Sequence, residues 1–459
     1  MHKVLIANRG EIAVRLIRAC FDEGVQSVLA VSAADVDSKA AKLADRIVVI
    51  GPAPAGESYL SIDRIIAAAL TTGCDAIHPG YGFLSERPEL VDACEEYGIT
   101  FVGPPAEVMR RSGSKLGARQ MADSIGIPTG QGTLGLTDLE AAIVAAEDLS
   151  NYPLLLKASA GGGGRGMTII QGPDDLREHF MRAKSEAERA FGDGTLYMEP
   201  YIENARHIEV QILADTHGTV CHLGERDCSA QRRYQKLIEE APSVGLPPSL
   251  VNQVRDAAVQ LAEGLGYVGA GTVEFLVDVK KERFIFLELN ARVQVEHPVT
   301  EMISGLDIVR EQLRIARGER LSFQQKDVEL SGYAIECRIN AEDARNGFMP
   351  TPGTIHEWVE PNGSNIRVDT LAFPGAKVVP YYDSLIAKVI VHGDTREEAI
   401  DLMLRALAKL KVSGISTTMG LHRAILANEE FRAAPITTKW LEERFLPGWN
   451  AAGDLAGIE

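Results

Sequence analysis

Over the first hundred residues, short apolar runs alternate with amphipathic segments. Residues 3–7 form a continuous apolar stretch that predicts a buried strand, and Glu11 to Glu23 carries the period of an amphipathic helix. Ser27 to Ser32 predicts a second strand. Ile47 to Ile50, Ala76-Ile77-His78 and Thr100-Phe101-Val102 are further short apolar runs, with helical segments between them. Strands alternating with helices predict an open parallel sheet. Between Gly113 and Gly132 the pattern becomes a helix followed by a polar loop. Leu154 to Ala158, Leu196 to Pro200 and His207 to Leu213 then read as strands, and Val251 to Leu265 as a helix. Val273 to Val277 and Phe284 to Val295 read as strands joined by a polar turn. Residues 330–459 mix both types, with Met403 to Leu410 in an amphipathic helix. The fold class predicted is α/β, without internal repeats.

The polar residues inside the apolar strands change the picture from fold to chemistry. Glu274 interrupts Gly271-Thr-Val-Glu-Phe-Leu-Val277, and Glu288 follows the run Phe284 to Leu287. A buried unpaired carboxylate costs several kcal/mol, so such acids imply a compensating partner. A hard divalent cation fits, because Mg²⁺ takes oxygen ligands from one or two carboxylates and from nucleotide phosphates. Glu274, Glu288 and Asn290 make such a set. If the chain stays extended, Glu288, Asn290, Arg292, Gln294 and Glu296 all face one side. That face would be an active-site wall with metal ligands, a cation, an amide and a base.

Lys157-Ala-Ser-Ala-Gly-Gly-Gly-Gly-Arg-Gly166 places five glycines in six positions after a strand lysine. Consecutive glycines let backbone N–H groups approach an anion, and the lysine adds a point charge. The alternative is a surface loop; the lysine favours a phosphate-binding flap that closes over a nucleotide. No G-K-[ST] follows, so it is not a Walker A loop. Asn8-Arg-Gly-Glu11 has one glycine where a dinucleotide loop would need three. His78-Pro-Gly-Tyr-Gly-Phe-Leu-Ser-Glu86 suggests a site at the edge of the first sheet. Arg226 to Lys236 carries four cations in eleven residues and reads as a loop presenting them to an anionic substrate. His207 is open between a nucleotide contact and an ordinary strand histidine. Arg338, in an apolar strand, calls for either a salt bridge or an anionic ligand.

Composition narrows the classes. The 459 residues carry a net charge of −17, which argues against nucleic acid as the main partner. Hydrophobic content of 45% and charged content of 24% are those of a soluble globular protein. No apolar run reaches about 18 residues, so no membrane span is expected. The six cysteines form no CxxC pair, which points to reduced thiols and a cytoplasmic setting.

With these motifs in order, the chain closely resembles the biotin carboxylase subunit of biotin-dependent carboxylases, an ATP-grasp family. The resemblance runs from Ile6-Ala-Asn-Arg-Gly-Glu-Ile-Ala13 to about residue 445. It is carried by the residue 78–86 and 157–167 motifs, Glu225-Arg-Asp-Cys-Ser229, Gln294-Val-Glu-His-Pro-Val-Thr-Glu301 and Glu336-Cys-Arg-Ile-Asn-Ala-Glu-Asp343. It implies an N-terminal open parallel (Rossmann-like) sheet over 1–112, a linker over 113–129 and a mobile glycine-rich lid over 130–203. A large mixed C-terminal domain with the ATP-grasp core would cover 204–459.

The resemblance also implies roles. Lys115 and Lys157 would contact ATP phosphates, with Gly163 and Gly164 in the flap. Glu199 and Ile202 would take the adenine, His207 and Gln231 the ribose side, and Leu276 would also contact ATP. Glu274, Glu288 and Asn290 would hold two Mg²⁺ (or Mn²⁺) ions. Lys236, Arg292, Gln294 and the Val295 backbone would bind bicarbonate. Glu296 would be the general base, kept ionised by Arg292. Arg338 would stabilise anions in the second half-reaction, and Tyr81 would lie beside the biotin ring. Two departures stand out: Tyr234 replaces the usual histidine before Gln-Lys, and Ala160 replaces the first flap glycine.

The implied activity is ATP- and bicarbonate-dependent carboxylation of biotin through carboxyphosphate, as in acetyl-CoA carboxylase and fatty acid synthesis or a related carboxylase. The chain has no Met-Lys pair for biotin attachment and no stretch for a carboxyltransferase. Biotin is therefore expected on a separate biotin carboxyl carrier protein, with carboxyltransferase subunits as further partners. Family members of this length imply a homodimer, with Arg18 and Arg367 at the contact and Ser364 in place of a larger residue. Two rival readings make different predictions. Another ATP-grasp ligase would respond to an amine and ignore biotin, and a catalytically dead homologue would bind ATP without bicarbonate-dependent turnover. The final acyl acceptor lies outside what this half-reaction encodes.

Overall fold

The structure, a computed structural model, describes residues 1–113, 115–130, 132–133, 135–149, 152–159, 167–433 and 435–451. The first hundred residues form a parallel sheet of β1 (Lys3–Ile6), β2 (Gln26–Ser32), β3 (Arg46–Gly51), β4 (Ala76–His78) and β5 (Thr100–Phe101), in the order β3-β2-β1-β4-β5. Helix Gly10–Asp22 leaves β1 through Gly10, whose φ of 72° lies in the left-handed region that glycine adopts without strain. Its face with Ile12, Ala13, Leu16 and Ile17 is buried. Asn8, just past β1, donates from Nδ2 to the carbonyls of Pro79 and Tyr81 at 2.7 Å each. The 79–87 loop is thereby fixed over the carboxyl ends of β1 and β4, where open α/β sheets place their ligands.

A second body contains β6 (Leu154–Ala158), β7 (Met167–Ile170) and β8 (Leu196–Pro200), an antiparallel sheet in the order β7-β6-β8. Helices Leu139–Asp148 and Pro173–Phe191 pack on it over Leu154, Leu156, Phe180 and Met198. Strand alternation then turns Leu155 and Lys157 to the other side. Helix Lys115–Ser124 precedes this body, and the Pro128 carbonyl after it accepts a hydrogen bond from Phe286 N at 2.7 Å.

The largest sheet is antiparallel throughout. It comprises β9 (Ala205–Ala214), β10 (Val220–Arg232), β11 (Gln235–Ala241), β12 (Gly269–Asp278), β13 (Arg283–Asn290), β14 (Tyr333–Asn340), β15 (Ile366–Thr370) and β16 (Leu385–Gly393). The order is β13-β12-β9-β10-β11-β14-β16-β15. One face buries Ile208, Val210, Ile212, Val273 and Val277 in a core shared with helix Pro248–Leu265. Phe275 meets Phe284 and Phe286 edge-on, with centroids 5.4 and 6.3 Å apart. Each such pair adds about 0.5–1.5 kcal/mol beyond area burial. The alternate positions carry the polar residues to the opposite face.

Two sequence expectations need correction. The strand expected to run to Val295 ends at Asn290. Ala291 N turns away to Glu86 Oε1 at 3.1 Å, residues 291–296 form turns, and helix His297–Ser304 follows, with Pro298 in its first turn. The even-numbered alternation therefore stops at Asn290. The Arg226–Lys236 stretch is a β-hairpin rather than a loop: β10 and β11 pair around Arg233 and Tyr234, both at positive φ. The hairpin gives its cations different surroundings. Arg226 is fully buried and Lys236 is nearer the cavity, both donating to Glu209 on the polar face, while Arg232 lies over the Phe348 ring at 4.0 Å.

Candidate active site

Strand register assembles the polar face. Glu288, Glu274, Glu209 and Arg226 are successive cross-strand partners on β13, β12, β9 and β10, so their side chains stand in one row. A cavity of about 870 Å³ opens over this row, between the parallel sheet, the glycine-rich body and the large sheet. Lys157, Glu199, Ile202, His207, Gln231 and Leu276 line one end. Lys236, Glu274, Glu288 and Asn290 line the middle, with Arg292, Gln294, Val295 and Glu296 along the turn and Arg338 opposite. Tyr81 closes the other end. Gly163 and Gly164 lie outside the described residues, as does the Lys115 side chain.

Lys236 is the hub. Its ammonium donates to Glu209 Oε2 at 2.5 Å, Glu296 Oε1 at 2.5 Å and Glu274 Oε1 at 3.2 Å. Arg338 donates from Nη2 to Glu296 Oε2 at 2.8 Å and from Nε to Glu239 at 2.5 Å. Burial pushes the Glu296 carboxyl upward, but Lys236, Arg338 and Arg226 outweigh it and hold the group well below the usual carboxylate range. Arg292, expected to play that part, attracts Glu296 electrostatically but makes its direct contacts elsewhere, pairing with Glu86 at 2.8 Å and donating to Asn290 Oδ1 at 2.9 Å. Glu274 is likewise held low, because Lys236 and His207 overcome its burial. His207 Nε2 lies 2.9 Å from Glu274 Oε2, and that carboxylate raises the imidazole against its own burial.

The remaining predicted residues are held by specific partners. Gln294 donates to Glu274 Oε1 at 2.7 Å and accepts from Arg226 Nη2 at 2.9 Å, so its amide orientation is fixed from both ends. The Val295 carbonyl accepts from Lys388 Nζ at 2.8 Å. Gln231 donates to the Cys228 carbonyl at 3.3 Å. Glu199 receives Lys157 and, at 3.2 Å, Arg119, so Lys157 is held by a carboxylate beside the cavity. Tyr81 donates its hydroxyl to Glu11. Glu274, Glu288 and Asn290 share one sheet face through the Glu274–Glu288 and Thr272–Asn290 pairings, and Asn290 Nδ2 lies 2.9 Å from Glu274 Oε1. An all-oxygen set next to a cavity fits Mg²⁺ or Mn²⁺.

Sequence reasoning passed over Glu209, Glu239, Lys388 and Glu86. The test applied to Glu274, a charge inside an apolar strand, also finds Glu209 in His207 to Leu213 and Lys388 in Leu385 to Val391. Glu86 sits in a quoted motif, but only the fold brings it to Arg292.

The comparisons agree with this geometry. Three family profiles match in order: "Biotin carboxylase, N-terminal domain" over 1–109, "Carbamoyl-phosphate synthase L chain, ATP binding domain" over 114–324, and "Biotin carboxylase C-terminal domain" over 336–443. Biotin carboxylase 1 of Bacillus subtilis is 48% identical over 441 residues, covering 96% of this chain and 98% of that protein. Among solved structures, the Hydrogenobacter thermophilus 2-oxoglutarate carboxylase biotin carboxylase domain dimer, in complex with MgADP, ADP and bicarbonate, superposes with a TM-score of 0.91. It is 48% identical and the match covers 96% of this chain and 97% of that one. The Campylobacter jejuni biotin carboxylase complex with a β,γ-ATP ligand gives a TM-score of 0.92 at 45% identity, covering 96% and 98%. Motif order, sheet topology and near-complete coverage by such relatives place this chain in the biotin carboxylase family.

Proposed function

We propose that this chain carboxylates biotin with ATP and bicarbonate, yielding N-carboxybiotin, ADP and phosphate. The observation that carries the reading is Glu296, an ionised buried carboxylate at the junction of the nucleotide end and the Tyr81 end of one cavity. ATP enters with its adenine against Ile202 and Leu276 and its ribose toward His207 and Gln231. Lys157 meets the phosphates, with Lys115 and the Gly163-Gly164 flap assigned to them by resemblance. Glu274, Glu288 and Asn290 would hold two Mg²⁺ or Mn²⁺ ions, which neutralise phosphate charge when bound.

Bicarbonate lies between Lys236, Arg292, Gln294 and the Val295 backbone. Glu296 takes its proton as its oxygen attacks the γ-phosphorus and the bond to ADP breaks, giving carboxyphosphate. Carboxyphosphate decomposes to CO₂ and phosphate. Phosphate removes the ureido proton of biotin, whose nitrogen attacks CO₂ while Arg338 balances the charge on the ureido oxygen. A closed lid keeps water from the labile intermediate.

The division 1–112, 113–129, 130–203 and 204–459 belongs to this reading, with the third segment as the lid. So do a homodimer, a separate biotin carboxyl carrier protein, carboxyltransferase subunits and a cytoplasmic setting. Among the described residues no helix is long and apolar enough to cross a membrane. The test is Mg²⁺-dependent ADP release with bicarbonate, with and without free biotin. Strong stimulation by biotin supports the reading. Turnover stimulated by an amine and indifferent to biotin or to a biotinylated carrier would replace it with another ATP-grasp ligase.

A further inference from the structure

Next to Arg338 the large sheet buries two more carboxylates. Glu239 on β11 and Glu336 on β14 are direct cross-strand partners, so both project from the same face, and neither has any exposed surface. Arg338 follows Glu336 by two positions and shares that face. Its guanidinium holds two carboxylates along one edge, Nε donating to Glu239 Oε1 at 2.5 Å and Nη2 to Glu296 Oε2 at 2.8 Å. Among the described residues, Glu239 Oε2 and both oxygens of Glu336 have no hydrogen-bond partner.

Resting on the reading above, we propose that Glu239 is a positioning residue that holds Arg338 for the biotin half-reaction, and that Glu336 beside it is a neutral, protonated acid. Two adjacent buried anions cannot share one guanidinium already committed to a third, because an uncompensated buried carboxylate costs several kcal/mol. Burial lifts Glu239 as well, to about 7, with Arg338 and Lys236 opposing it; Glu239 holds the arginine directly and Glu336 does not, so Glu336 carries the proton. The environment agrees: burial, more than any other cause, pushes Glu336 well above the usual range, with Glu239 and Glu296 adding to the effect against Lys388 and Arg338. The other titratable groups around the pair are Lys236 and Glu240 on β11, Cys337 on β14 and Cys228 on β10.

The arrangement gives the two half-reactions different demands. When Glu296 takes the bicarbonate proton, Arg338 loses one of its two anionic partners. Glu239 remains, keeps the guanidinium in place, and leaves Nη2 free for the ureido oxygen. The charge on Glu239 therefore matters chiefly in the step that uses biotin.

The experiment measures ADP release by the purified chain with saturating Mg-ATP and bicarbonate, with and without free biotin, for wild type, Glu239→Gln and Glu239→Asp. The expected result is a loss of tenfold or more in the biotin-stimulated rate of Glu239→Gln. The loss in biotin-independent ATP cleavage is several-fold smaller, and KM for ATP moves less than KM for biotin. Glu239→Asp, which keeps the charge but withdraws it by one methylene, shows the same split in milder form and serves if the glutamine variant does not fold. A biotin-stimulated rate near wild type, or equal losses in both rates, overturns the proposal. If wild type itself shows no stimulation by biotin or by a biotinylated carrier, the carboxylase reading fails and this inference falls with it. The protonated state of Glu336 is read separately from stability. A folded pKa raised above the unfolded value makes wild type lose stability relative to Glu336→Gln as pH rises from about 5 to 8. The loss approaches tenfold in the folding constant per pH unit. Parallel curves for the two proteins would refute the neutral acid.

Discussion

Replacing Arg226 with methionine tests whether the polar face works as a single positioned unit. Arg226 is wholly buried and donates to Glu209 Oε1 at 2.5 Å, Gln211 Oε1 at 2.8 Å, Thr300 Oγ1 and Gln294 Oε1 at 2.9 Å, and Thr272 Oγ1 at 3.2 Å. Methionine fills similar volume but strips all of these acceptors of their donor. Breaking a buried ion pair from one side costs about 3–5 kcal/mol. Glu209 keeps Lys236 on its other oxygen, which favours the lower end, about 3 kcal/mol. The functional effect passes through Gln294, whose amide loses its charged anchor. A hydrogen bond to a charged group is worth about 1.5–3 kcal/mol, so the bicarbonate KM should rise about tenfold or more. The assay is ADP release against added bicarbonate in CO₂-depleted buffer at saturating ATP, paired with urea unfolding. Arg226→Lys should rescue poorly, since one ammonium cannot reach the acceptors that a planar guanidinium spans. A bicarbonate KM within twofold of wild type in Arg226→Met would refute the argument that Arg226 orients Gln294.

Glu296→Ala should abolish bicarbonate-dependent turnover while ATP affinity, measured by calorimetry, stays nearly unchanged; near-normal rates would remove Glu296 as the base. Gly414 sits at φ 97°, and a Cβ there would lie 2.1 Å from the Thr354 carbonyl oxygen. Gly414→Ala should therefore lower the urea midpoint by at least the ~1–3 kcal/mol of a strained backbone position, and an unchanged midpoint would show that the 353–356 segment yields freely. Burial holds His78 and His297 down to about 3, below their unfolded value near 6.5. The unfolded state then binds the extra protons, so stability is complete above pH 6.5 and falls as pH drops toward 3. The loss is about 2 kcal/mol per histidine at pH 5. Urea midpoints of wild type and His78→Gln between pH 7.5 and 5 should converge as the pH falls, and a constant gap would contradict the assignment for His78.

The sequence by itself determined the elements, the family and most of the chemistry. Strand and helix periods are local, so β1, β4 and β9 are visible as patterns of side chains. Glu274, Glu288 and Lys157 were visible because a charge in an apolar strand demands a partner wherever that strand lies. Tertiary structure alone decided who the partner is. Glu296 was expected to depend on Arg292, four residues away; Arg292 adds only a through-space attraction while pairing with Glu86, and the direct partners of Glu296 are Lys236 and Arg338, remote in sequence. The strand expected to reach Val295 ends at Asn290, because Ala291 finds its acceptor on a distant loop and the next helix starts at His297. Arg226 and Lys236 look alike as cations of one basic run, yet Arg226 is wholly buried while Lys236 lines the cavity, and both converge on Glu209. Their meeting at Glu209 follows from strand register, which pairs residues across strands and has no signature in the spacing along either one.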